Sequence, residues 1–332
     1  MTTNRAKLVF LIASCLTALL ATASLAATDP LTTVIDTRDA ERFAAVFARS
    51  GGKPDAASLQ RDYLNGAGRG VEVFMPGRIE NAANLATAIA ADRERYAYAI
   101  KTCLPLVASL DGELRATYLA YRGLLPDRQL PEVYVVFGAA NSGGTAKPDA
   151  QVIGLESMCG PGTTPEQFRT GMRNIFAHEV AHTFQPDVLE SATHDKLMFM
   201  ALSEGTPDFL ASLVTANPPS AVREEYGRAN ETKLWAQFQR DRSVLLGKSW
   251  AEIDTDPVLK AAMHRWFGNA GAAPEGVPSE MGYWVGMQIA AASFQAAPDK
   301  RAAINALLAR TDPIALANAS GYDGKVVVDP RQ

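Results

Sequence analysis

His178-Glu179-Val180-Ala181-His182 combines two imidazoles and a carboxylate in the pattern H-E-x-x-H. On a helix, residues four apart lie on one face, about 6 Å apart along the axis, so both imidazoles can reach one metal ion. Glu179 is turned about 100° from His178, which lets its carboxylate address a water activated by the metal without itself being a ligand. The chemistry this predicts is hydrolysis at a zinc ion with Glu179 as general base. Two of the four histidines in the chain fall inside this window, so chance placement explains it poorly.

A catalytic zinc site needs a third protein ligand. The extended metzincin pattern would place a glycine and a further histidine where this chain has Gln185 and Val188, so that subclass is excluded. Downstream, Ser203-Glu204-Gly205-Thr206-Pro207-Asp208 offers Glu204. Two histidines and a glutamate form an established zinc set with an open fourth position. Asp208 follows one helical turn later, where a carboxylate can bond the far nitrogen of a liganding histidine. Pro207 disturbs this reading, since a helix interior disfavours proline. It marks either a kink or the first turn of a fresh helix capped by Thr206.

The elements that must hold these residues are legible nearby. Thr164 as N-cap, Pro165 at the first helical position and Gln167 completing a capping box predict a helix entering the motif, and Pro186 ends it. Apolar spacing predicts helices over 38–49 and 79–100. Gly66-Ala67-Gly68-Arg69-Gly70 reads as a loop and lacks the context of a phosphate cradle. Strands are expected over 132–137 and 151–155, separated by the turn-rich Asn141-Ser142-Gly143-Gly144. From Pro165 onward the chain reads as mostly helical. The expected class is α+β, mostly helical, with a small sheet preceding the H-E-x-x-H helix.

The chain has 332 residues, 47% hydrophobic and 20% charged, with net charge −4. This excludes a disordered chain and argues against nucleic acid as a partner. Residues 1–26 read as a secretory signal peptide: Arg5 and Lys7, an apolar run over 8–20, then Ser24-Leu25-Ala26 before the cleavage point. The apolar run is shorter than a membrane span, so no span is expected after cleavage. Ile12-Ala13-Ser14-Cys15 offers the alternative of a lipoprotein attached through Cys15. Cleavage leaves two cysteines, Cys103 and Cys159, either joined as one disulfide or buried as separate thiols. Closing that loop would stabilise the fold by about 3–4 kcal/mol. The expected location is periplasmic or secreted.

The motif together with the Glu204-to-Asp208 spacing resembles the gluzincin metallopeptidases, the thermolysin-type arrangement. More narrowly, the segments 176–185 (FAHEVAHTFQ), 202–210 (LSEGTPDFL) and 281–290 (MGYWVGMQIA) resemble a bacterial domain-of-unknown-function group of predicted zinc-dependent proteases. Leu59-Gln60-Arg61-Asp62-Tyr63-Leu64 adds to the likeness, which covers roughly 55–295. The resemblance implies a zincin-like core over 129–332 beneath a helical portion, 27–128. It also implies zinc on His178, His182 and Glu204, Glu179 as base, and a peptide or protein substrate. Tyr283 is then a candidate donor to the oxyanion, with a core aromatic beside Trp284 as the competing reading. By the same analogy the strand over 151–155 would be the edge to which a peptide adds. Two other classes stay open, a non-hydrolytic envelope protein stabilised by zinc and a zinc hydrolase of a non-peptide amide.

Overall fold

The computed structural model describes residues 28–187 and 194–327. Residues 1–26, over which a signal peptide is expected, and Cys15 among them, lie outside the described residues. The fold is α+β and mostly helical, with one four-stranded sheet. No helix among the described residues is long and apolar enough to cross a membrane.

The sheet comprises β1 (Ile35–Asp36), β2 (Glu132–Val136), β3 (Gly144–Lys147) and β4 (Ala150–Gly154), in the order β1-β2-β4-β3. β2 pairs in parallel with β1 and β4, with Tyr134 opposite Val152. β3 pairs antiparallel to β4, with Gly144 opposite Ile153. Pro148 and Asp149 form the two-residue connection between them. The apolar run of β2 and the wholly buried β4 fit strands covered on both sides.

This corrects the expected edge. β4 lies inside the sheet, and the edge belongs to β3, where only turn signals were read. A short Gly-Thr-Ala-Lys strand carries little β propensity of its own and is held by its pairing with β4.

An aromatic cluster anchors the chain as it leaves β2. Phe43 stacks on Phe137 at 4.4 Å between ring centroids, and Tyr63 packs edge-on to Phe43. The Tyr63 hydroxyl donates to the Phe137 carbonyl and that of Tyr96 to the Gly138 carbonyl, both at 2.8 Å. A disulfide joins Cys103 to Cys159 and so ties the N-terminal helices to the segment between β4 and the motif helix.

The helix Arg38–Arg49 forms as predicted. The helix expected over 79–100 is divided into Ala82–Ala91 and Arg93–Tyr98, because Asp92 caps the second with its side chain on the Arg95 N–H. The glycine-rich loop is shorter than expected, since a helix begins at Arg69, and Asp39 accepts the Gly68 N–H at its entry.

Candidate metal centre

The motif helix runs Pro165–Thr183 and carries the predicted capping box. Thr164 Oγ1 accepts the Gln167 N–H at 3.2 Å, and Gln167 Oε1 accepts the Thr164 N–H at 2.9 Å. Phe176, Ala177, Val180 and Ala181 are buried and seat the helix. The Tyr121 hydroxyl bonds the Ala177 carbonyl at 2.6 Å, fixing the turn that bears His178.

Glu204 sits on the helix Lys196–Thr215, which crosses the helix Met281–Ala296 at almost bare backbone. A Cβ on Gly205 would lie 2.2 Å from the Gly286 carbonyl carbon, and one on Gly286 only 1.7 Å from the Ala201 carbonyl oxygen. The two glycines therefore set how closely Glu204 and Tyr283 approach. Pro207 lies inside one continuous helix, not at the first turn of a fresh one, which corrects that expectation. Its missing N–H leaves the Ser203 carbonyl without its helical donor, and the Gln185 amide supplies one at 2.9 Å.

His178, His182 and Glu204 converge. The two Nε2 atoms are 3.0 Å apart, and Glu204 Oε2 is 3.6 Å from that of His178 and 3.3 Å from that of His182. Donors about 2.0–2.2 Å from a tetrahedral ion stand about 3.3–3.6 Å from one another; both Glu204 separations match this and the Nε2 pair is somewhat closer. The group can hold a metal ion, and its donor atoms all lie within 4.8 Å of one another.

Further partners fix the imidazoles. His178 Nδ1 meets Asp208 Oδ1 at 2.8 Å, and His182 Nδ1 meets Gln185 Oε1 at 2.8 Å. Both oxygens can only accept, so each Nδ1 carries a proton, and each Nε2 would turn its lone pair to a metal that displaces its own proton. Arg223 donates to Asp208 Oδ2 at 2.8 Å and lies over the Tyr283 ring at 4.9 Å.

Electrostatics follow from this enclosure. Burial alone would lower the His178 pKa, but hydrogen bonds to Asp208 and Glu204 outweigh it and push it up to about 10. His182 is raised as well, because Glu204 outweighs burial. Against burial, the charge on His182 holds Glu204 well below the ordinary carboxylate range. Asp208 stays low for a similar reason, with Arg223 outweighing its burial. Glu179 moves the other way, raised by burial.

Glu179 lies beside the group and outside its donor set. Its carboxylate packs on β3: a Cβ on Gly144 would be 2.5 Å from Glu179 Oε1, so only glycine lets the edge strand come this close. Tyr283 stacks on His178 at 5.9 Å and 18° and lines the cavities on either side. Trp284, its neighbour in sequence, turns into the core against Gly227 and bonds Glu231. One cavity, about 420 Å³, includes Met158, Ile175 and Pro219. The other, about 360 Å³, includes Thr145, Gln185, Arg78 and Arg310.

The structure thus brings together His178, Glu179, His182, Glu204, Asp208 and Tyr283. His194 and His264 stay outside the group. The His194 ring lies next to Gly247, and His264 faces the Gly268 carbonyl. Sequence reasoning missed Gly144, Arg223, Arg78 and Arg310, whose roles depend on distant contacts. It also used Gln185 only to exclude a subclass, although its position one turn after His182 was a usable signal. Compared with family models, curated proteins and solved structures, the chain matches none, so the functional reading rests on this geometry.

Proposed function

We propose that the protein is an exported zinc metallopeptidase of gluzincin type. The observation that carries this reading is the donor set of His178, His182 and Glu204, with Glu179 adjacent but outside it. His178 Nε2, His182 Nε2 and Glu204 Oε2 would hold the zinc. When bound, zinc supplies Lewis acidity toward water and a scissile carbonyl.

Glu179 takes the proton from the attacking water and delivers it to the leaving amine. Burial raises its pKa and makes it a stronger base than an exposed carboxylate. The Tyr283 hydroxyl stays protonated because burial raises its pKa well above the usual value, so it can donate to charge developing on the carbonyl oxygen. β3, at the sheet edge beside Glu179, offers backbone groups to an extended peptide. The Cys103–Cys159 disulfide supports an oxidising compartment, in keeping with export on residues 1–26.

The test is incubation of the purified protein with a mixed peptide library, with and without chelator. Chelator-sensitive cleavage is expected. Glu179→Gln should keep stoichiometric metal and lose hydrolysis, whereas Glu204→Ala should lose the metal. Full activity in Glu179→Gln would remove the assigned base, and absence of cleavage under every condition would overturn the peptidase reading.

A further inference from the structure

Several partly buried arginines are committed to carboxylates. Arg223 pairs with Asp208 and Arg242 with Asp195, while Arg69 pairs with Asp149 and Arg173 with Glu113. Arg78 and Arg310 form no ion pair within 4.0 Å among the described residues, yet both line the cavity that contains His182 and Glu204.

Arg310 is only 6% exposed, and its Nε has no hydrogen-bond partner. It stands in the left-handed region, φ 48°, where the helix Lys300–Ala309 ends, a place that usually takes glycine or asparagine. Its Nη2 donates to the Pro186 carbonyl at 2.9 Å, and the guanidinium lies 5.3 Å over the Phe199 ring. Arg78 comes from the other end of the chain. Its Nε is likewise buried without a partner, and Nη1 reaches only the Pro76 carbonyl at 3.3 Å.

A desolvated guanidinium is costly unless paired. The carboxylates lining this cavity are Glu179, Asp187 and Glu204. Glu204 belongs to the metal group and Glu179 is the proposed base. With a divalent ion in place, the ion and the two arginines exceed these carboxylates by one positive charge. A planar guanidinium offers paired donors in the geometry that a carboxylate accepts.

We propose that Arg78 and Arg310 form a carboxylate-binding subsite beside the metal group, so that the preferred substrate carries an acidic group next to the bond that is cleaved. This rests on the metallopeptidase reading only in taking the cavity as a substrate site. The carboxylate comes either from an acidic side chain or from a peptide C-terminus, and separate probes distinguish the two.

The experiment measures calorimetric binding to the zinc-loaded full chain, the state in which the cavity carries its excess positive charge, and the arginine variants separate the subsite from anion binding at the ion itself. The probes are N-acetyl-aspartate N-methylamide, N-acetylglycine and the neutral N-acetyl-asparagine N-methylamide. At least one acidic probe should bind ten-fold or more tighter than the neutral one, and the tighter of the two identifies the source. Arg78→Gln and Arg310→Gln should each abolish that preference. If Arg310→Gln does not fold, Arg78→Gln, at a partly exposed position, decides. Equal binding of all three probes, or a preference that survives in the folded variants, would overturn the subsite. Library cleavage separates the two proposals. Chelator-sensitive cleavage with no acidic preference removes the subsite alone, whereas acidic-probe selectivity without cleavage supports it while removing the peptidase reading.

Discussion

The side-chain amide of Gln185 donates to the Ser203 carbonyl at 2.9 Å, in the place of the helical N–H that Pro207 lacks. The same Gln185 accepts from His182 Nδ1. An unusual proline in one helix is thereby connected to the orientation of a candidate metal ligand on another.

Restoring the missing donor should separate these effects. In Pro207→Ala the new N–H competes for the Ser203 carbonyl, so stability should rise, by up to about 3 kcal/mol, while metal affinity falls. Gln185→Leu should lose affinity about 10–100-fold without the gain in stability. Chelator competition and urea unfolding on the same preparations check both.

Asp208→Asn should weaken metal binding by about 10–100-fold, because an amide can present a donor to His178 Nδ1 and favours the wrong tautomer. Arg223→Gln should do less, since Asp208 keeps its bond to His178. Metal affinities of the two variants, measured side by side, test that order.

Gly286→Ala should force apart the helices bearing Glu204 and Tyr283, because its Cβ would meet the Ala201 carbonyl oxygen at 1.7 Å. Overpacking of this kind costs about 1–3 kcal/mol or more. We expect a lower urea midpoint together with reduced metal retention. Gly171→Ala, mid-helix and with the new Cβ meeting only Met158 Cε at 3.5 Å, should leave metal retention unchanged and raise the midpoint slightly.

Glu156 gives stability a pH dependence. It is fully buried, accepts the Ala140 N–H at 3.2 Å and has one oxygen without a partner. Burial raises its pKa from 4.5 to about 7. An acid raised on folding resists ionisation, so its penalty is absent below the unfolded pKa, grows through pH 4.5–7 and levels off above. The loss is about 3 kcal/mol across that window. Glu156→Gln should remove this component, so unfolding at pH 5 and pH 8 should differ less than in the unsubstituted protein.

The order in which ligands appear in the chain explains what could be read early. The capping box at Thr164 and the pairing of His178 with His182 depend on a few consecutive residues and the helical repeat, and both stand as the sequence predicts. Glu204 was legible from residue type and distance along the chain, but spacing alone could not bring it to the histidines. The apolar period over 79–100 is continuous and predicts one helix, but the side-chain cap at Asp92, set only by its bond to the Arg95 N–H, divides it.

By itself, then, the sequence determined the local geometry: two imidazoles on one helical face, a carboxylate turned away from them, and a mostly helical α+β chain. Those features follow from backbone repeats and short-range capping, which act within a turn or two. Only the tertiary structure decided which strand forms the edge, that Tyr283 faces the metal group while Trp284 enters the core, and that Arg78 and Arg310 share one cavity. These depend on close contacts such as Gly205 on Gly286 and Gly144 on Glu179, where the absence of a side chain sets the distance. A glycine shows in a sequence as a residue type, but the neighbour that it admits is fixed by packing between segments far apart along the chain.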